Sequence, residues 1–123
     1  MATESVNPKN EKITAAFQEL QNRRNMMNQC TQILQRKIQS MRNANIIKRY
    51  TIEEINNQKD GTNFYEPVGR MFVLIPKKDA LGFLTAEINE NEKAIKSCED
   101  NIENVKNRYK EQEVHTRDLV NNR

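Results

Sequence analysis

Apolar side chains recur along the first part of the chain at alternating intervals of four and three residues. No glycine or proline interrupts residues 9–48, so the pattern predicts one long helix there, after a polar, disordered tail over residues 1–8. The intervals define a heptad seam. Its stronger d series is Ile13, Leu20, Met27, Leu34 and Met41, and its weaker a series is Phe17, Arg24, Thr31, Ile38 and Asn45.

The same pattern returns from Leu81 to Leu119 and predicts a second helix over residues 78–121. Two such helices joined by a compact insert are expected to fold back as an antiparallel coiled coil, in which a positions face d positions. We predict the register that places Ile38 opposite Asn91. A slide by one heptad would preserve the same type of pairing, so both registers stay open at this point.

The stretch between the helices has a different composition. Thr51–Glu54 matches a capping box and predicts a separate short helix over residues 51–58. Residues 62–76 then combine turn chemistry at Glu66–Gly69 with an apolar run at Met71–Ile75, and this combination predicts a β-hairpin.

The predicted hairpin is apolar on both faces. Side chains alternate along a strand, so Phe72 and Leu74 point to one face while Met71, Val73 and Ile75 point to the other. An isolated two-stranded hairpin is marginally stable in water, and its open edges invite further strands. We therefore expect it to pair with another subunit. The predicted fold is mainly α: a single domain over residues 1–123, made of a long antiparallel coiled coil with a β-hairpin insert.

Composition restricts the class of protein further. Charged residues make up 30% of the chain and tryptophan is absent, so a thin helical seam fits better than a thick core. The polar start has no apolar segment of the kind found in signal peptides, and no run is long enough to span a membrane. Cys30 and Cys98 are widely spaced and indicate neither a disulfide framework nor a zinc site. A reducing compartment, the cytosol or the nucleus, is therefore expected, and a cytoplasmic location is preferred.

Charge is distributed unevenly between the two predicted helices. From Leu20 to Ile52 there is no acidic residue, whereas acids outnumber bases from Asp79 onward. The basic stretch could bind nucleic-acid phosphates, but no aromatic residues are interleaved with it. A solvated basic face that complements the acidic second helix is the preferred interpretation.

Catalytic patterns are not found. The sequence has no nucleophile–base arrangement, phosphate-binding loop or metal-ligand spacing, and its single histidine, His115, stands alone. We therefore expect a non-enzymatic protein without a cofactor.

The amino-acid sequence of the hairpin resembles the signature motif of β-class prefoldin subunits. The similar string runs from Thr62 through Tyr65-Glu66 and Val68–Leu74 to Lys77. The specific sequence similarity covers about residues 51–81. The heptad repeats on either side resemble the family only in architecture. The chain departs from the family at Ile75-Pro76, where polar residues are usual, which affects the exact start of the second helix.

The resemblance implies an ATP-independent chaperone in which two α-class and four β-class subunits join their hairpins into a barrel. In eukaryotes such complexes hold non-native chains, actin and tubulin above all, and deliver them to the cytosolic chaperonin. It also implies that the hairpin is the assembly site. The residues expected there are Phe64, Tyr65, Val68, Gly69, Met71, Phe72, Val73, Leu74 and Ile75.

The free ends of the two helices are the candidate client site. Antiparallel pairing would bring the start of the first helix next to the end of the second, where the seam layers are poorly matched and apolar groups would be exposed. The residues expected there are Ile13, Phe17, Leu20, Val114, Leu119 and Val120. The alternative is that these residues only complete the seam.

Other functions remain as alternatives. A structural coiled-coil tether or scaffold would explain the heptads, but it would not need a hairpin that is apolar on both faces. A nucleic-acid-binding protein would lose affinity steeply with added salt.

Overall fold

The computed structural model describes residues 8–121. Two long helices flank a two-stranded sheet, in the order α1 (Pro8–Asn57), β1 (Phe64–Val68), β2 (Met71–Ile75) and α2 (Lys77–Asn121). This arrangement confirms the predicted mainly α fold with a hairpin between the helices. The predicted tail, residues 1–8, lies outside the described residues except for Pro8, at which α1 begins. Proline suits a first helical position because its missing N–H has no partner there in any helix.

α1 is one uninterrupted helix, so the prediction of a separate short helix at residues 51–58 is wrong. Thr51, predicted to cap that helix, lies inside α1, and its Oγ1 donates a hydrogen bond to the carbonyl of Ile47 at 3.0 Å. A threonine that bonds back to the preceding turn occupies a helix interior, not an N-cap. The stretch before Thr51 contains no glycine or proline, so nothing there ends the first helix.

The hairpin pairs Phe64 with Ile75 at its open end and Val68 with Met71 next to the turn. Its two-residue loop is Gly69-Arg70, so the turn lies later than the predicted Glu66–Gly69. Gly69 has a φ of +60°, which matches the first central position of a type II′ turn.

Pro67 lies within β1, opposite Phe72. In a hairpin with a two-residue loop the pair flanking the loop is hydrogen-bonded, so the next pair is not. The missing N–H of Pro67 therefore falls on the outer edge of β1 and costs the ladder nothing.

Two short connections join the hairpin to the helices. After α1 the chain turns at residues 59–62, where the amide of Thr62 donates to the carbonyl of Lys59 at 3.2 Å and Gly61 adopts a φ of +85°. Before α2 the carbonyl of Pro76 accepts a hydrogen bond from the amide of Ala80 at 3.1 Å. Pro76 is thus the residue immediately before α2, and its carbonyl accepts hydrogen bonds from the first turn of that helix.

The chain divides into two compact units, which are described separately. Of the described residues, the hairpin unit contains 37–97 and the terminal unit contains 8–36 and 98–121. In the hairpin unit the seam between α1 and α2 buries Ile38, Ala80, Ile88, Ile95 and Asn45.

A polar contact fixes the register of this seam. Nδ2 of Asn91 donates to Oδ1 of Asn45 at 2.9 Å, and Asn45 is only 2% exposed. The predicted pairing of Asn91 with Ile38 is therefore wrong by one heptad in the hairpin unit. The amide at position 91 is matched with another amide and not with an apolar side chain.

The seam of the terminal unit buries less. Among its described residues only Cys98 and Thr116 are buried, and the seam positions Leu20, Met27, Leu34, Ile102, Val105 and Tyr109 are half-buried. Phe17 and Arg24, which the heptad pattern assigns to the seam, are exposed. A seam with so little buried apolar surface has a weaker hydrophobic contribution to hold it closed.

Candidate protein-binding surfaces

The hairpin exposes apolar side chains on both faces, as its sequence predicts. Tyr65, Pro67, Phe72 and Leu74 share one face, and Phe64, Glu66, Val68, Met71, Val73 and Ile75 share the other. Phe72 is 73% exposed on the first face and Met71 is 67% exposed on the second. Only Phe64 and Ile75, at the open end, are half-buried. The hairpin thus brings all nine predicted assembly residues into one element, and seven of them are exposed.

The two edges of the sheet differ. Neither edge pairs with a further strand of the described chain, because the sheet contains β1 and β2 alone. Pro67 removes one donor from the outer edge of β1, whereas β2 contains no proline and presents a complete row of donors and acceptors. The edge of β2 is therefore the better template for an added strand.

An open cleft in the terminal unit collects part of the predicted client site. This end cleft is lined by Phe17, Leu20, Tyr109, Glu113, Thr116, Arg117, Val120 and Asn121. Three of the six predicted residues, Phe17, Leu20 and Val120, therefore meet at one place. Glu113 and Arg117 form an ion pair at 3.3 Å beside them, on consecutive turns of α2.

The other three predicted client residues do not line this cleft. Ile13 is half-buried on α1, whereas Val114 and Leu119 are exposed on α2. The heptad spacing predicts a seam position for Leu119, but this residue is 41% exposed while its neighbour Val120 is half-buried.

Two seam hydroxyls in the terminal unit lack partners. Thr116 is 1% exposed, and neither its Oγ1 nor that of Thr31 makes a hydrogen bond with the described residues. A buried polar atom without a partner costs roughly 1–3 kcal/mol. These positions weaken the closed seam of the terminal unit beyond what its thin apolar packing would do.

A second groove in the terminal unit was not predicted from the sequence. This arginine groove has apolar lining from Met26, Met27, Cys30, Val105 and Tyr109, with Arg23 and Arg108 beside them. The heptad pattern explains only Met27, Val105 and Tyr109. One feature of the sequence could have indicated this groove. Met26 and Ile33 are apolar residues outside the seam, and because they are seven residues apart they lie on one face of α1.

The basic face of α1 meets acidic residues of α2 in the hairpin unit. Nη2 of Arg49 lies 2.7 Å from Oε1 of Glu92, and Nζ of Lys48 lies 3.8 Å from Oε2 of Glu87. These contacts agree with the predicted complementarity of the two helices. Both pairs are partly exposed, so each contributes on the order of 0.2–1 kcal/mol.

Residues 8–121 offer neither a candidate metal site nor a candidate membrane span. No group of three or more His, Cys, Asp or Glu side chains is placed to hold a metal ion. No helix among these residues is long and apolar enough to cross a membrane.

Comparison with known proteins agrees with the geometry. No curated protein sequence matches the chain. The crystal structure of the prefoldin beta subunit from Thermococcus strain KS-1 superposes with a TM-score of 0.69 at 18% identity, over 93% of this chain and 94% of that one. This similarity shows the fold. The prefoldin subunit family, a family of non-enzymatic chaperones whose members assemble into heterohexamers, matches residues 11–123. The chain therefore belongs to the prefoldin subunit family.

Proposed function

We propose that the chain is a β-class subunit of a cytoplasmic heterohexamer that holds non-native proteins without ATP and delivers them to the cytosolic chaperonin. Actin and tubulin are the proposed clients. The string Gly69-Arg70-Met71-Phe72 resembles that of subunit 1 of the eukaryotic complex, and we propose that the chain is a subunit of this type.

The exposed hairpin is the observation that carries the proposal. Met71, Phe72 and Leu74 are each more than half exposed on a two-stranded sheet with open edges. Such a sheet is unstable in water and gains both hydrogen bonds and apolar burial when a neighbouring strand is added. Hairpins of other prefoldin subunits are the proposed neighbours.

The end cleft supports client binding. It presents Phe17, Leu20 and Val120 next to a seam with little buried apolar surface. A weakly held helix end can open locally and offer more apolar surface to an unfolded chain. Each contact would be weak, and several subunits acting together would supply avidity.

The first test is assembly. The chain is co-expressed with α-class prefoldin subunits, and the mass of the product is measured by native mass spectrometry. A heterohexamer is the expected result. A stable monomer or a simple homodimer would favour a structural coiled-coil tether instead.

The second test is client holding by the assembled complex. Phe17→Ser with Leu20→Ser should reduce suppression of aggregation of denatured actin, measured by light scattering, without changing the mass of the complex. Ile47→Ser with Tyr50→Ser, at two exposed positions of α1 outside the terminal unit, is the matched control. Equal suppression by the complexes carrying either pair would reject the end cleft as the client site.

A further inference from the structure

The arginine groove combines an apolar floor with a positive rim. Met27, Cys30, Val105 and Tyr109 are half-buried along it, and Met26 stands 68% exposed at one wall. Methionine side chains are flexible and polarisable, so they adapt to apolar groups of different shape. The groove can therefore receive a Leu, Met or Phe side chain without requiring a single fixed shape.

An apolar strip extends this groove along α1. Met26, Cys30 and Ile33 are spaced by four and three residues, which places them on one face of the helix. Ile33 is 63% exposed. An extended or helical segment bound in the groove would find a second apolar contact about two turns further along α1.

The charged residues that line the groove, Arg23 and Arg108, are both positive. Arg108 makes no hydrogen bond or ion pair with the residues that the structure describes. Arg23 is held by Glu19 at 3.0 Å, but both side chains are about half exposed, at 52% and 53%, and such pairs exchange partners easily. The flanking stretch of α1 from Leu20 onward contains no carboxylate up to Ile52.

We propose that the arginine groove binds acidic amphipathic segments of non-native client proteins, with an apolar side chain in the groove and a carboxylate at Arg108. The proposal rests on the proposed chaperone function and adds a chemical preference to it. A lysine-flanked segment with the same apolar side chains would bring its charge against Arg108 and Arg23. The groove thus selects by charge as well as by apolar contact.

The test uses the assembled complex and two fluorescein-labelled peptides. Both peptides carry the same leucines, flanked by glutamate in one and by lysine in the other, and binding is followed by fluorescence anisotropy at low and high salt. The glutamate peptide should bind about threefold to tenfold more tightly at low salt, and the preference should shrink as salt screens the charges. Equal affinity of the two peptides at low salt would overturn the proposal.

A matched pair of charge reversals locates the effect. Arg108→Glu should remove the preference for the glutamate peptide and should improve binding of the lysine peptide. The variant complex should then bind the lysine peptide with most of the affinity that the wild-type complex has for the glutamate peptide. Lys110→Glu makes the same change in net charge two residues away, at an exposed position that does not line the groove. It should leave the preference within about twofold of wild type. Equal effects of the two reversals would assign the preference to overall charge and reject the groove.

The outcome is separable from that of the proposed function. If the wild-type complex suppresses actin aggregation but shows no charge preference, only the groove assignment fails. If it binds the glutamate peptide through Arg108 but does not suppress aggregation, the groove stands as a peptide site and the chaperone function fails. Photo-crosslinking from position 26 then identifies the occupant. Crosslinks to a neighbouring subunit and not to the peptide would overturn the proposal.

Discussion

Asn45 and Asn91 form a polar layer within the apolar seam of the hairpin unit. Their side chains are joined by a 2.9 Å hydrogen bond, and Asn45 is almost completely buried. A buried amide that loses this partner has no water to replace it, so alternative registers leave it unsatisfied. The pair therefore specifies the register of the seam, as single polar layers do in other coiled coils, where they lower stability relative to an apolar layer.

Asn91→Ala should lower the free energy of unfolding by roughly 1–3 kcal/mol, because it leaves the buried amide of Asn45 without its donor. Urea denaturation followed by far-UV circular dichroism measures the change. Asn89→Ala is the control, at an exposed position of the same helix. It gives the same gain in helix propensity but does not remove a hydrogen bond to Asn45. If both variants are equally stable, the hydrogen bond does not hold the seam.

Gly69 is required by the backbone of the turn. Its φ of +60° lies in the left-handed region, and a Cβ at this position would meet no atom within 4 Å. Gly69→Ala should therefore destabilise the hairpin through backbone conformation alone, by roughly 1–2 kcal/mol. Faster hydrogen exchange of the amides of β1 and β2 would report the loss.

Gly82→Ala is the control for this change. Gly82 lies in α2, and a Cβ there also meets no atom within 4 Å. Because alanine favours a helix over glycine, this variant should gain about 0.5–1 kcal/mol. Replacing glycine with alanine should thus lower stability at position 69 and raise it at position 82. A change in the same direction at both positions would contradict the assigned turn.

At the scale of elements, the register of the helices can be tested with cysteine pairs. In a background with Cys30 and Cys98 replaced by serine, cysteines at positions 45 and 91 should crosslink rapidly with a short bismaleimide, because the native side chains there are in contact. Cysteines at 38 and 91, the pairing that the heptads first suggested, should react slowly. Mass spectrometry of tryptic fragments distinguishes the two, and faster reaction of the 38/91 pair would restore the original register.

The continuity of α1 has a consequence for the elements beside it. Since Thr51 lies within the helix, the turn that leads to the hairpin begins only after Asn57 and is set by Gly61. The hairpin is therefore connected by a short segment to the end of a long helix and by Pro76 to the start of another. Within the described residues neither connection adds a strand to the hairpin, so both of its edges stay open.

At the scale of the whole molecule, the exposed hairpin predicts dependence on neighbouring subunits. Phe72→Ser with Leu74→Ser should leave the helical content of the isolated chain unchanged, because both side chains are exposed in it, at 73% and 58%. The same variant should fail to assemble, because it removes apolar surface from one face of the hairpin. Native mass spectrometry with co-expressed prefoldin subunits gives the readout.

Met26→Ser with Ile33→Ser is the matched control for assembly. These two residues of the terminal unit are as exposed as the hairpin pair, at 68% and 63%, but lie on α1. Their replacement should leave assembly intact. Loss of the heterohexamer in both variants would mean that assembly depends on exposed apolar area in general and not on the hairpin.

Local pattern in the sequence determined the elements of this protein. The spacing of apolar residues predicted both helices, and the change to turn residues followed by Met71–Ile75 predicted the hairpin, because these signals depend on neighbouring residues only. The resemblance to the prefoldin family added the proposed role of the hairpin in subunit assembly. Thr51 misled because a capping-box sequence is also compatible with a helix interior, where the hydroxyl bonds to the carbonyl of Ile47 instead.

Only the tertiary structure decided which residues meet. A slide by one heptad keeps every apolar position in the seam, so periodicity could not distinguish the registers, whereas the buried contact between Asn45 and Asn91 does. The turn at Gly69-Arg70 was likewise decided by the cross-strand pairing. The arginine groove exists because residues of α1 and α2, far apart in the sequence, line one surface. Such long-range contacts leave little trace in local pattern, and they determine where the surface of this chaperone subunit is both apolar and charged.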